Sequence, residues 1–158
     1  MSDPRGKLKT AVKGPARYSF DLQELWFSLT RKPWRSLAAV PAGEGGDTLA
    51  LCRSLAELGG AFGGAPLPVL DGTSLDLEAA AALTHSLGAQ EVAGRRLVAL
   101  EALTMNPLGI PVCLACDGVL LVIRGGATTV EEARRTIELI GRDHVLGSVL
   151  DERDRGAR

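Results

Sequence analysis

Apolar residues at Leu22, Leu25, Trp26 and Leu29 recur at the i, i+3, i+4, i+7 spacing of an amphipathic helix. That helix is predicted to close at Arg31-Lys32-Pro33, because proline disfavours helical backbone in the residue before it. Residues 36–41 (Ser-Leu-Ala-Ala-Val-Pro) read as a short buried strand, and Ala42 to Gly46 as a glycine-rich loop. From Asp47 the pattern turns helical, with Leu51, Cys52, Leu55 and Leu58 on one face and Gly59-Gly60 as the expected stop. The alternation then repeats. Residues 67–71 predict a second strand, and a helix follows near 75–87 with Thr73 or Ser74 as cap and Gly88 as terminator. Residues 96–101 predict a third strand, and a proline-broken, partly helical connection leads to a fourth at 118–123. Thr128 with Glu131, or Thr129 with Glu132, makes a capping box. The helix it opens turns Val130, Ala133, Ile137 and Ile140 inward and stops at Gly141, and residues 144–150 form a fifth strand.

Strands that are apolar almost throughout, alternating with helices, predict an α/β fold. The expected architecture has three layers: a mostly parallel five-stranded sheet with helices on both faces. Residues 18–150 make one domain, between an aperiodic basic arm over 1–17, expected to be flexible, and a charged tail over 151–158. Ligands of such sheets bind beyond the carboxyl ends of the strands. The loop 42–46, Asp71 and Glu101 converge there.

The composition fits one core and no more: 158 residues, 46% apolar and 23% charged, with 4% aromatic. It excludes collagen-like, disordered and disulfide-scaffold classes. The net charge of −1 conceals an asymmetry. Residues 1–35 carry eight Lys or Arg against Asp3, Asp21 and Glu24, a balance of +5, while the rest carries ten basic and sixteen acidic residues, −6. The basic lead reads as a solvated tail, and a nucleic-acid role is not expected, since aromatics interleave with it only at Tyr18. No secretory signal opens the chain, and Pro107, Pro111, Glu101 and Asp117 interrupt the apolar stretch 97–123, so a cytoplasmic protein is expected. Cys52, Cys113 and Cys116 read as packing residues. The spacing of Cys113-Leu-Ala-Cys116 would also suit a redox pair or half a zinc site, but it does not open a helix after a strand. His85 and His144 read as ordinary helix and strand-edge residues.

The strand, the loop Gly43-Glu44-Gly45-Gly46-Asp47-Thr48 and the following helix together resemble the phosphate loop of a known family, the bacterial tyrosine kinases of capsule and exopolysaccharide synthesis. These are relatives of the MinD/ParA ATPases, and their loop typically reads Gly-Glu-Gly-Lys-Ser-Thr. Arg96 to Leu103 resembles the family's Walker B strand. Cys116-Asp117-Gly118 through Arg124, the Thr-capped helix and Val145 to Leu150 resemble its C-terminal third. Glu24-Leu-Trp-Phe-Ser-Leu-Thr30 resembles the helix that mediates ring assembly there. The resemblance covers roughly residues 20–150. It implies a first strand, 36–41, flanked by the Walker B-like strand and the fourth.

The departures bear on function. A phosphate loop works because backbone N–H groups cradle the anion, Lys neutralises it, and a hydroxyl holds magnesium. Gly46 stands at the Lys position and Asp47 at the hydroxyl position, a swing of two unit charges. One unit pair about 4 Å apart is worth roughly 4 kcal/mol near a protein surface. Asp47 suits a helix N-cap, and a sharper reading places its carboxylate in the emptied anion site. Asp71 falls where the family's second acidic motif would lie, and Glu101 replaces the Walker B Asp with a longer side chain. Phe27 and Thr30 occupy the two Arg positions of the assembly helix, and no tyrosine stands in the tail. The expected protein is therefore a catalytically degenerate ATPase- or kinase-like domain acting as a binding or regulatory module in bacterial polysaccharide synthesis or export. It needs no cofactor and works through a protein partner or self-association, with a membrane protein as one candidate. The alternative is a weak ATPase or kinase that binds ATP and magnesium through the loop, Thr48, Asp71 and Glu101. A structural oligomerisation domain is the third reading.

Overall fold

A computed structural model of the chain describes residues 8–12, 20–89 and 94–151. Six strands form one all-parallel sheet: β1 (Leu8–Val12), β2 (Ser36–Pro41), β3 (Val69–Gly72), β4 (Arg96–Leu100), β5 (Gly118–Arg124) and β6 (Val145–Asp151). Their order is β1-β6-β5-β2-β4-β3. The helices are α1 (Phe20–Leu29), α2 (Thr48–Gly63), α3 (Leu77–Gly88), α4 (Gly109–Ala115) and α5 (Val130–Ile140), with a 3-10 turn at Arg142–His144. The fold is thus the expected α/β sandwich of helices on a parallel sheet. The five predicted strands are present within about two residues of their expected bounds, and β2 lies between β4 and β5.

Side chains of the central strands alternate between two cores. Leu37 and Ala39 of β2, with Leu97, Ala99, Leu120 and Val122, pack under α1 and α2. Ala38 and Val40, with Val98, Leu100, Val119 and Leu121, pack under α3, α4 and α5. This period-2 division is why the central strands β2, β4 and β5 are apolar almost throughout. On the first face Trp26 and Trp34 meet edge to face at 6.1 Å between ring centres. The Trp34 indole N–H donates to the carbonyl of Leu29 at the end of α1 (2.8 Å). Arg95 stacks on Trp34 at 4.4 Å and reaches the carbonyls of Thr30 and Lys32, which supplies the cation that a helix C-terminus favours.

Four expectations need correction. The stretch 1–17, read as an arm, contributes β1, whose five residues pair in parallel with Gly147 to Asp151 of β6. The sequence Leu-Lys-Thr-Ala-Val lacks the apolar run that marks the central strands. Next, α2 does not stop at Gly59-Gly60 but runs on to Gly63, where Gly64 closes it in the left-handed conformation (φ 90°). The cap of α3 is Asp76, whose carboxylate accepts the N–H of Ala79, and neither Thr73 nor Ser74. Val130 is 74% exposed because it opens α5 at the rim rather than facing the sheet, and of the two capping boxes it is Thr129 that accepts from Glu132 N.

The glycines of α2 explain why it continues. A Cβ on Gly59 would meet Trp26 and Leu67, and one on Gly60 would come 2.6 Å from the Cα of Pro66, whose backbone cannot yield. They are contact sites for the returning chain, not a stop. Gly60→Ala should therefore destabilise the fold by about 1–3 kcal/mol despite its better helix propensity. Gly63→Ala, with open space around its Cβ, should stabilise it by up to roughly 1 kcal/mol. Urea unfolding of the two variants beside the wild type measures both signs.

Candidate functional site

The loop after β2 is held from both neighbours. Ala42 N donates to Val122 O (2.8 Å), so the chain leaves the sheet still tied to β5. The Thr136 hydroxyl of α5 lies within bonding distance of the carbonyls of Ala42 (3.0 Å) and Glu132 (2.9 Å). Gly43 is buried, and the Glu132 carboxylate occupies the space into which a Cβ there would project. Gly45 and Gly46 both have positive φ (81° and 93°), a pair of left-handed residues that a side chain would strain. The guanidinium of Arg124, at the end of β5, lies against Gly45.

The loop delivers the chain into α2 through Asp47. Its Oδ1 accepts the N–H of Ala50 at 2.9 Å, so Asp47 is the N-cap, as its residue type predicts. Thr48 is buried, and its hydroxyl donates to Leu100 O at 2.7 Å, tying the start of α2 to the end of β4. The proton of the one hydroxyl left in the loop is thus committed to the sheet.

These residues border a cavity of about 510 Å³ at the carboxyl ends of β2 and β4. Its lining includes Glu44, Gly45, Gly46, Asp47, Thr48, Thr73 and Glu101. Three carboxylates face it, and among the described residues no Lys or Arg lines it; Arg124 rests on the loop outside that lining. Glu101 is positioned by Asn106, whose amide donates to Glu101 Oε1 (2.8 Å) and reaches the carbonyl of Leu75 (3.0 Å). The Asn106 carbonyl accepts from Leu108 N (3.2 Å), so one side chain closes the turn after β4 and fixes the acid.

Of the expected site residues, the structure brings Glu44, Gly45, Gly46, Asp47, Thr48 and Glu101 around one cavity. Gly43 lies beneath it against Glu132. Asp71 is not among the lining residues. Its carboxylate turns back on its own loop, accepting the N–H of Thr73 (3.0 Å) and the Thr73 hydroxyl (2.5 Å). Those two hydrogen bonds, with Arg53 adding a smaller attraction, hold the Asp71 carboxyl below the ordinary range. Sequence reasoning missed Asn106, Glu132 and Arg124 as parts of the site. The capping box marked Glu132, but only as a helix start.

The cysteines pack. Cys52 belongs to the core under α1 and α2, and Cys113 and Cys116 to the other core; all three are free and buried. Burial pushes the thiols of Cys52 and Cys116 up to about 12, and Cys113 is raised as well. No cluster of metal-ligating side chains occurs among the described residues. His144 stands in the 3-10 turn before β6, its Nε2 2.6 Å from the carbonyl of Cys113, and His85 is exposed on α3. Among the described residues no helix is long and apolar enough to cross a membrane. The chain matches no family model and no curated protein.

Two outcomes follow from these surroundings. In the folded protein a thiol-specific chromogenic reagent at pH 8 should titrate none of the three cysteines, and all three after denaturation. Thr73→Val should raise the Asp71 pKa, read from the carboxyl carbon in an NMR titration. Because the native value is depressed, the stabilisation it gives is present above the unfolded-state pKa and is lost as pH falls through the native one. Asp71 is exposed, so that loss should be small.

Proposed function

We propose that this chain is a catalytically degenerate relative of the bacterial tyrosine kinases and MinD/ParA ATPases, retained as a binding or regulatory module. The observation that carries the reading is Asp47. The N-terminus of α2, which in a phosphate loop would face the anion, is capped by the chain's own carboxylate at 2.9 Å. Glu44 and Glu101 face the same cavity, so a triphosphate entering it meets three negative groups and no lining cation. Gly46 deepens the change, because its left-handed backbone is not one a lysine readily adopts. The strand order, with β2 between β4 and β5, supports the kinship.

Catalysis by the family's route requires a metal and the phosphoryl group held together. Here the hydroxyl position is a helix cap, Thr48 donates to Leu100, and Asp71 is turned to Thr73. What remains is a rigid cleft suited to contact rather than turnover. In this reading the module works on a protein partner in polysaccharide synthesis or export. Self-association is a second reading, favoured by Phe27 and Phe62, which stack edge to face at 5.1 Å yet are 43% and 68% exposed. It predicts a concentration-dependent oligomer by sedimentation that Phe62→Ser dissociates, and a monomer at all concentrations overturns it.

Calorimetric titration with ATP or ADP and magnesium tests the main reading. The wild type should give no binding, and Gly46→Lys with Asp47→Ser should restore it. Strain at a left-handed lysine costs about 1–2 kcal/mol, less than the roughly 4 kcal/mol of a close unit charge pair. Micromolar binding by the wild type would overturn the proposal.

A further inference from the structure

A second cavity lies at the opposite end of the sheet, where β2 and β4 begin. Ser36 and Arg96 are register partners there, and Arg96 N donates to Arg35 O at 2.7 Å. The Arg96 side chain is 8% exposed, and its Nε is wholly enclosed with no hydrogen-bond partner among the described residues. It lines a cavity of about 190 Å³ together with Arg35, Ser36, Ala89, Ala115 and Asp117. One oxygen of Asp117 is already engaged, accepting the backbone N–H groups of Arg35 (2.6 Å) and Ser36 (3.1 Å). Ser36 Oγ returns the bond by accepting Asp117 N (3.1 Å).

An enclosed guanidinium nitrogen without an acceptor is costly, because burial removes its water and nothing replaces it. Guanidinium groups have donors only and fit planar or tetrahedral oxyanions, which have acceptors only. Among the described residues, two arginines line this cavity against one carboxylate. A volume of 190 Å³ admits one such group, not a nucleotide.

We infer that this cavity binds a single oxyanion group, a carboxylate or a phosphate, held by Arg96 from within and Arg35 at the rim. The site is separate from the loop after β2 and does not depend on the reading of that loop. Inorganic phosphate and acetate, titrated separately into the full chain at ionic strength fixed with chloride, test it by calorimetry and thermal unfolding. Saturable binding is expected in the wild type. Arg35→Gln, an exposed position, should weaken it about tenfold or more, the effect of losing a hydrogen bond to a charged group. Arg96→Met should abolish it while being at least as stable as the wild type in chloride alone, since it removes an enclosed donor that has no acceptor among the described residues. Asp47→Ala, at the other end of the sheet, should leave the affinity unchanged. Tighter binding of phosphate points to a phosphorylated ligand, and tighter binding of acetate to a carboxylate group on a partner. A response that does not saturate, or that is equal in wild type, Arg35→Gln and Arg96→Met, is a general salt effect and overturns the site.

Discussion

A strand with parallel neighbours on both edges and helices on both faces has no solvent to satisfy any of its polar groups, and β2 is that strand. Its N–H and C=O groups pair with β4 on one side and β5 on the other, and all six of its residues are buried. Small residues at Ala38 and Ala39 let both helical layers approach, and Leu37 and Val40 fill the two cores. The strand's exits are thereby fixed. Its carboxyl end must release the chain into the cleft between β4 and β5, and its amino end must start beside Arg96 and Asp117. The two cavities lie at these two exits.

At the carboxyl end, the controlling quantity is the charge at the start of α2. A helix N-terminus presents unpaired N–H groups and a positive pole, which a phosphate loop leaves for the ligand. Here Asp47 answers that pole from within the chain, Thr48 spends its proton on β4, and the Glu132 carboxylate packs against Gly43. The loop is thus stable without an anion, and it adds negative charge where an anion would come. In the proposed reading, the internal cap and a weakened hold on phosphate are one change, not two.

Much of this was legible in the residue pattern, and the failures have physical causes. Central strands announce themselves because burial on both faces makes their runs apolar almost throughout. Edge strand β1 does not, since Leu-Lys-Thr-Ala-Val carries no such run. Gly59-Gly60 reads as a helix stop from local preference, but close approach of Trp26 and Pro66 uses the missing side chains instead. The loop, Asp47 and Glu101 were visible because they are contiguous with strand ends. Arg124, Asn106 and Glu132 reach the site from other elements, and no spacing rule connects Glu132 with Gly43. Asp71 stood at the right strand end, yet Thr73, two residues away, offered its carboxylate two donors at closer range than the cavity.

The two ends of the sheet differ in how their polar groups are satisfied. At the loop, the Asp47 carboxylate of the chain itself answers the Ala50 N–H at the start of α2, and the Thr48 hydroxyl is spent on Leu100 O. At the amino end, the carboxylate that could have answered Arg96 instead caps the backbone of Arg35 and Ser36, which leaves an enclosed Nε unmet. The N–H groups that Asp117 holds, both through Oδ2, belong to the strand start on which the central pairing depends. A fold of this type binds at its carboxyl ends by default, since helix N-termini gather there. Where such an N-terminus is capped from within, as Asp47 caps α2, an unanswered donor elsewhere becomes the competing attraction for an anion. On the proposal of an oxyanion site, that donor is Arg96 at the amino end rather than the loop.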